Sequence, residues 1–182
     1  LVDRISRLEP SLEVSADVCV LFNADRLSIY VTGEDKATIV SKVKTGLNSF
    51  SDLKLPIAEH SIAGYVALSK KIANLKDVYD EKQLGALNAN LRFLQEVDKR
   101  TGYRTKQMLV APVIDSASKE LMGVIQILNK VDDSTFTEAE LSLAQTLADH
   151  AAIAIENASL YRQAYVASIT DDLTGLGNTR QF

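Results

Sequence analysis

Hydrophobic residues at the start of the chain recur at intervals of three and four, namely Leu1, Ile5, Leu8 and Leu12. This spacing places them on one face of a helix, and we assign residues 1–10 to an N-terminal linker helix. Pro10 is tolerated in the first turn of a helix. A second helix is therefore expected to begin there and to end near Asn23.

Alternating and β-branched segments predict the strands of a sheet. Residues 27–31 alternate, and a turn at residues 32–35 joins them to a hairpin partner at residues 39–43. A segment at residues 53–57 is expected at a sheet edge, because Pro56 cannot donate to a ladder. Further strands are predicted at residues 72–75, 107–114 and 122–128.

Short helices are predicted between these strands, at residues 61–69 and 91–99. The polar residues 77–90 are expected to form an irregular loop that covers a pocket or stays mobile. A last helix is expected to begin after Thr137, where Glu140 completes a capping box. The order of the elements predicts an α+β fold, with a central antiparallel sheet, helices and a long C-terminal helix.

Composition and charge point to an ordinary globular domain. The 182 residues are 46% hydrophobic and 24% charged, as in typical soluble domains. The formal net charge of −4 argues against a nucleic-acid partner. No apolar stretch reaches the roughly 18 residues that cross a bilayer, and the single Cys19 fits a reducing compartment. We therefore expect a cytoplasmic protein that binds neither membrane nor nucleic acid.

No arrangement of residues points to catalysis or to a bound metal. His60 and His150 are far apart in the sequence, and their spacing from Cys19 does not suit zinc. Phosphate-loop, nucleophile-elbow and HExxH motifs are absent from the sequence. We expect no catalytic residue and no metal ligand, so this chain is expected to be regulatory.

Four segments together resemble the GAF domain family: FNADRLSIY at 22–30, SIAGYVA at 61–67, DKRTGYRT at 98–105 and LMGVIQILNK at 121–130. The resemblance covers about residues 8–155, and we set the boundaries of the GAF sensory domain at residues 11–156. It implies a GAF-like fold whose last helix carries a signal. It also implies a sensory module, which binds a small molecule or mediates dimerisation ahead of an output domain.

A ligand pocket is expected beside residues 62–64, where small side chains let a ligand approach a helix N-terminus. Unpaired N–H groups there favour an anion such as a phosphate. The candidate ligand-binding residues are Ile62, Ala63, Gly64, Tyr79, Asp98, Thr101, Tyr103 and Thr105. The alternative is that Gly64 serves only helix–sheet packing and that the threonines cap helices or line a strand.

The ligand is unknown, and a cyclic nucleotide or another small molecule is expected. Asn129-Lys130, Phe136 and Glu140 resemble the Asn-Lys-…-Phe-x-x-x-Asp-Glu signature of cyclic-nucleotide-binding GAF domains. Glu140 replaces the aspartate of that signature, and Leu141 replaces its final glutamate. Lys130 is expected to form a structural pair with Glu140. The alternative is a solvated lysine and an ordinary capping-box glutamate.

The last helix carries a heptad seam: Ala144, Leu147, Ala151, Ala154, Ala158, Tyr161, Tyr165 and Ser168. Its first half is expected to face the domain's own core, and residues 157–170 are expected to form a coiled-coil-like linker helix. We expect a parallel homodimer through this helix. The seam of that dimer is predicted at Ala151, Ala154, Ala158, Tyr161 and Tyr165.

The last residues resemble the opening of the GGDEF domain of diguanylate cyclases, whose pattern is Asp-x-Leu-Thr-Gly-Leu-x-Asn-Arg-Arg-x-Phe. The matching residues are Asp171, Leu173, Thr174, Gly175, Leu176, Asn178, Arg180 and Phe182. Thr179 departs from the pattern. The resemblance implies that residues 171–182 begin a GGDEF domain, so that the chain controls cyclic di-GMP synthesis in a longer protein. The alternatives are a glycine-rich loop that ends the helix and a dimerisation module without a ligand.

Overall fold

One six-stranded antiparallel sheet organises the part of the chain that this computed structural model describes, residues 15–44 and 53–174. In chain order the strands are β1 (Ala24–Thr32), β2 (Thr38–Lys44), β3 (Lys54–Pro56), β4 (Ala73–Leu75), β5 (Met108–Ile114) and β6 (Leu121–Lys130). Across the sheet they lie in the order β3-β2-β1-β6-β5-β4. The predicted α+β fold is confirmed, and the β1–β2 hairpin and the edge strand with Pro56 lie where they were expected.

Helices cover both faces of this sheet. They are α1 (residues 15–21), α2 (Ile62–Ser69), α3 (Glu81–Leu87), α4 (Glu96–Thr101) and α5 (Glu138–Thr174). The N-terminal linker helix predicted at residues 1–10 lies outside the described residues.

Two predictions about the segment between β4 and β5 are wrong. The supposed loop at residues 77–90 contains α3, which is capped by the Asp80 side chain and buries only Leu84. A short helix with a single buried residue lacks the apolar periodicity that identifies helices in a sequence. The helix expected from residue 91 begins at Glu96, because Leu91 is fully buried and Asn88 holds the preceding residues in a turn.

The two faces of the sheet build two separate hydrophobic clusters. The first cluster lies under α2 and α3 and includes Tyr30 and Val124. The second lies under α1 and α5 and includes Leu27 and Ile125. The strands alternate between these clusters because successive side chains point to opposite faces. Leu27 faces the second cluster, so the residues directly before and after it in β1 face the first cluster.

Helix α5 packs on the sheet over its first half and then extends beyond it. Only half of the predicted capping box forms at its start. The Thr137 hydroxyl accepts a hydrogen bond from Glu140 N at 3.2 Å, but the Glu140 carboxylate binds Lys130 and not the backbone N–H of Thr137. Ala144, Ala148 and Ala152 are buried against the sheet. No described helix combines the length and the apolar character that a membrane crossing requires.

The predicted seam residues divide between these two halves of α5. Ala151 is half-buried beside the second cluster, whereas Ala154, Ala158, Tyr161 and Tyr165 are exposed. Ala144, Leu147 and Ala151 of the stripe thus contact their own domain as expected, whereas Ala154, which was expected to do so as well, is exposed. The exposed second half has no described residue covering it.

Candidate ligand-binding site

A cavity of about 220 Å³ lies between the sheet and the segment that carries α2 and α4. Its floor is formed by residues of three neighbouring strands: Arg26, Ser28, Tyr30, Met108, Gln126 and Leu128. Arg26, Ser28 and Tyr30 are alternate residues of β1, so they share one face of the sheet. Antiparallel pairing places Ser28 directly opposite Gln126 of β6. The register of β1 and β6 therefore creates a polar patch on the floor.

Three polar side chains of this floor have unused hydrogen-bonding capacity. Ser28, Tyr30 and Gln126 are each at most 9% exposed. Among the described residues, none forms a hydrogen bond with the Ser28 or Tyr30 hydroxyl. The Gln126 amide nitrogen has only the Met108 sulfur at 3.8 Å, a weak acceptor. Buried polar groups are normally satisfied, so these groups are available to a molecule in the cavity.

Burial also fixes the charge state of this patch. It raises the pKa of Tyr30 from 10.0 to about 12, because the phenolate would lose its hydration. Tyr30 is therefore a neutral hydroxyl at physiological pH, and Ser28 and Gln126 carry no charge. The floor suits the neutral, hydrogen-bonding part of a ligand.

Five of the candidate residues from the sequence line this cavity: Ile62, Ala63, Asp98, Tyr103 and Thr105. Gly64, Tyr79 and Thr101 are not part of its lining. A Cβ on Gly64 would lie 2.5 Å from the Pro56 carbonyl oxygen, so its position in α2 serves close packing on the segment after β3. The Thr101 hydroxyl donates to the Val97 carbonyl within α4.

Asp98 is the buried centre of the cavity wall. Its carboxylate accepts three hydrogen bonds, from Thr105 N, Thr105 Oγ1 and Tyr79 OH, each at 2.8 Å. The Tyr79 ring in turn contacts Phe93, with ring centroids 5.1 Å apart, and the Arg104 guanidinium lies 3.7 Å from its centroid. Asp98 thus ties α4 to the chain entering β5 and uses its acceptors within the protein.

Tyr103 forms the rim of the cavity nearest to β1. Its hydroxyl donates to Asp25 at 2.7 Å and accepts from Asn129 Nδ2 at 2.9 Å. Burial, followed by the hydrogen bond and charge of Asp25, raises the pKa of Tyr103 well above its ordinary value. The Arg26 guanidinium lies 3.5 Å from the centroid of the Tyr103 ring.

The other face of the sheet carries the ion pair expected between Lys130 and Glu140. Lys130 Nζ lies 2.9 and 3.0 Å from the two Glu140 oxygens and donates to the Phe22 carbonyl at 2.7 Å. The Lys130 side chain is only 5% exposed, and the Phe136 ring lies beside it. One ammonium group therefore joins the ends of α1, β6 and α5.

Neighbouring residues connect this junction to the cavity. Asn129 precedes Lys130 and binds the cavity side: it donates to Tyr103 OH and to the Arg104 carbonyl, and it accepts from Lys106 N. Its backbone is left-handed, with φ of 55°, a conformation that asparagine tolerates better than most residues. Residues 129 and 130 therefore contact the cavity rim and the helix junction respectively.

The sequence model of the GAF domain matches residues 11–155 of this chain. The chain belongs to the GAF domain family. Dual 3′,5′-cyclic-AMP and -GMP phosphodiesterase 11A of Takifugu rubripes is 34% identical to this GAF domain over 164 residues, which cover 83% of this chain and 17% of that protein. Dual 3′,5′-cyclic-AMP and -GMP phosphodiesterase 11 of Drosophila melanogaster is 31% identical over 166 residues, covering 84% and 11%. The chain thus spans less than a fifth of these relatives.

Solved structures show the same fold. The GAF domain of a phosphoenolpyruvate-protein phosphotransferase from Coxiella burnetii superposes with a TM-score of 0.65, 24% identity and 82% coverage of both chains. The GAF domain of a two-component sensor histidine kinase from Bacillus halodurans gives a TM-score of 0.61 and 20% identity, covering 85% of this chain and 97% of that one. These structures show the shared fold, and the match of residues 11–155 to the GAF family makes this domain a regulatory or sensory module.

Sequence reasoning missed the floor of the cavity. Ser28, Tyr30, Met108 and Gln126 lie inside predicted strands, where a polar residue alternating with apolar ones is normally taken to face solvent, and Arg26 lies just before the strand predicted at residues 27–31. The feature that could have identified the floor is that helices cover both faces of this sheet. Because of this cover, a polar strand residue beneath the helices on either face is not open to solvent. Among the described residues, no cluster of three or more histidine, cysteine, aspartate or glutamate side chains is arranged to hold a metal ion.

Proposed function

We propose that this GAF domain senses a small ligand, bound in the cavity, and transmits its presence through α5 to an output domain. The observation that carries the proposal is a set of buried, neutral side chains on the cavity floor: Ser28 and Tyr30, whose hydroxyls have no described protein partner, and Gln126, whose amide nitrogen has only the Met108 sulfur at 3.8 Å. These groups line the cavity, and a bound molecule that offers matching donors and acceptors would form hydrogen bonds with them.

A single nucleotide is the ligand that we propose. The cavity volume of about 220 Å³ limits the site to a single small molecule. A nucleobase presents donors and acceptors along a planar edge, as the floor requires. Two relatives are named as phosphodiesterases of cyclic AMP and cyclic GMP, which makes these nucleotides the first to test. The alternative, a dimerisation module without a ligand, would be favoured by a cavity filled with its own side chains.

Replacing Gln126 with leucine is expected to weaken the binding of cyclic GMP or cyclic AMP by about 10-fold to 100-fold. The leucine leaves a polar group of the ligand unpaired, at about 1–3 kcal/mol, and about 1.4 kcal/mol corresponds to tenfold in Kd. Isothermal titration calorimetry of both variants measures this change. Gln145→Leu on the exposed face of α5 is the matched control and should bind like the wild type. Equal affinity in Gln126→Leu, or no binding of either nucleotide to the wild type, contradicts the proposal.

The signal is proposed to leave through a homodimer formed by α5. Exposed apolar and aromatic side chains continue along this helix beyond the sheet: Leu160, Tyr161, Tyr165, Val166 and Ile169. Val20 and Leu21 of α1 are also exposed. The heptad spacing of Ala154, Ala158 and Tyr161 suits a second copy of the same helix. The Lys130 junction holds the start of α5 to α1, so a change at the cavity rim can alter how the two copies pair.

The double variant Ala154→Glu, Ala158→Glu is expected to be a monomer. Four glutamates would face one another in a parallel dimer, and their charges would be desolvated in a closely packed seam. Size-exclusion chromatography with light scattering measures the mass at several concentrations. Gln163→Glu, which lies off the seam, is the control and should remain a dimer. A monomeric wild type, or an unchanged dimer in the double variant, contradicts the interface.

The output domain is proposed to be a diguanylate cyclase. Support comes from the GGDEF-like motif of residues 171–182, of which residues 171–174 form the helical end of α5 and the others lie outside the described residues. The relatives favour a second candidate, a cyclic-nucleotide phosphodiesterase as the output domain. Assays of the longer protein for cyclic di-GMP synthesis from GTP and for cyclic GMP hydrolysis distinguish the two.

A further inference from the structure

Arg26 places an unpaired positive charge at the rim of the cavity. Its guanidinium stacks on the Tyr103 ring at 3.5 Å from the centroid, and the residue is half-buried. Among the described residues, no carboxylate lies within ion-pair distance of it and no acceptor binds its N–H groups. The neighbouring Asp25 is engaged by the Tyr103 hydroxyl instead. The guanidinium is therefore held in place without a direct ion pair among the described residues.

The other charged side chains of the lining already have partners within the protein, either an ion pair or hydrogen bonds from neutral donors. Asp98 accepts from Tyr79 and twice from Thr105. Arg100 forms an ion pair with Glu96 on the exposed surface of α4. The start of α2, at Ile62 and Ala63, lines the same cavity and adds the positive end of a helix dipole. The formal charges of Arg26, Arg100, Glu96 and Asp98 in the lining cancel, but among the described residues the Arg26 guanidinium has neither an ion-pair partner nor a hydrogen-bond acceptor.

We infer that Arg26 binds the phosphate of the ligand at the cavity rim, while the floor binds its uncharged base. This inference rests on the proposed function and assigns an orientation to the bound molecule. Arg26 and Ser28 are alternate residues of β1 and both line the cavity, so one mononucleotide can contact the guanidinium with its phosphate and the floor with its base. A guanidinium matches a phosphate because it donates two parallel N–H groups.

Tyr103 is the positioning residue for this contact. Its ring supports one face of the guanidinium, as in cation–π pairs, and leaves the edge with the N–H groups free to donate. Asp25 and Asn129 fix the ring through its hydroxyl, at 2.7 and 2.9 Å. Asn129 directly precedes Lys130 in the sequence, so Tyr103 and Asn129 connect Arg26 to the Lys130 junction.

The test compares cyclic GMP with guanosine, which carries the same base but no phosphate. The wild type is expected to bind cyclic GMP at least tenfold more tightly than guanosine, with a Kd that rises with salt concentration. Arg26→Gln is expected to lose this preference and most of the salt dependence, while its guanosine affinity stays within threefold of the wild type. Arg26→Lys should retain part of the preference. Arg162→Gln, on the exposed part of α5, is the matched control and should behave like the wild type.

Each outcome distinguishes this inference from the proposed function. If guanosine and cyclic GMP bind equally to the wild type and both are lost in Gln126→Leu, the cavity binds a ligand but Arg26 does not hold its phosphate. The same conclusion follows if Arg26→Gln binds cyclic GMP like the wild type. If Arg26→Gln loses guanosine as well, its effect is structural and the inference is overturned. If neither probe binds the wild type, the nucleotide proposal falls together with the inference.

Discussion

Replacing Lys130 with methionine is expected to lower the free energy of unfolding by about 3 kcal/mol, since removing one partner of a buried ion pair strands the other. The Lys130 side chain is 5% exposed and that of Glu140 is 21% exposed. Without the ammonium, the Glu140 carboxylate loses its counter-charge and the Phe22 carbonyl loses its donor. Urea unfolding followed by circular dichroism measures the change.

Two further variants separate charge from packing at this junction. Glu140→Gln keeps an oxygen acceptor for Lys130 and should cost less than Lys130→Met. The double variant Lys130→Met, Glu140→Leu removes both charges and should recover part of the stability, because apolar replacements of buried pairs are often tolerated. A loss below about 1 kcal/mol in Lys130→Met, in the range of exposed ion pairs, would show that the junction does not hold α1 and α5 together.

Replacing Asp98 with alanine is expected to cost about 3 kcal/mol of stability and to weaken ligand binding at least tenfold. Each donor left without a buried acceptor costs about 1–3 kcal/mol, and three donors converge on this carboxylate. The expected loss of about 3 kcal/mol is smaller than the summed cost of three unpaired donors. The reason is that the Thr105 hydroxyl can rotate and water can enter the adjacent cavity. The loss of binding follows because Asp98 holds the wall formed by α4 and the Thr105 segment.

Thermal and urea unfolding, together with nucleotide titration, measure both effects. Asp98→Asn keeps one carbonyl acceptor and should show a smaller loss on both measures. Asp149→Ala on the exposed face of α5 is the matched control, with a change within about 0.5 kcal/mol. Wild-type stability in Asp98→Ala would mean that the three hydrogen bonds do not hold the wall. Loss of binding without loss of stability would instead make Asp98 a direct ligand contact.

The sequence predicted those parts of the fold that depend on local periodicity. The β1–β2 hairpin follows from alternation around a turn, and α5 follows from a long segment without Pro or Gly. The contact of Lys130 with Glu140 was predicted because the two residues are close in sequence and flank a strand–helix connection. Helix α3 was missed because its stability comes from one cap and one buried leucine rather than from an apolar face.

The sequence predicted part of the candidate site. The part that it did not predict depends on the pairing of strands that are far apart in the sequence. Ile62, Ala63 and Tyr103 belong to segments recognisable in the sequence, and they line the cavity. Ser28 and Gln126 come together only through the register of β1 with β6, which local pattern does not specify. Asp98 was expected to contact a ligand and does line the cavity, but a sequence cannot show that Thr105 and Tyr79 also donate to its oxygens.

Native mass spectrometry of freshly purified protein tests the central claim most directly, because it detects a molecule held in the cavity. The wild type, supplied with cyclic GMP or cyclic AMP after purification, is expected to carry one small-molecule adduct per chain. Gln126→Leu should lose that adduct while keeping the same polypeptide mass and oligomeric state. A wild type that shows only the bare polypeptide, both as purified and after incubation with each nucleotide, would contradict the account.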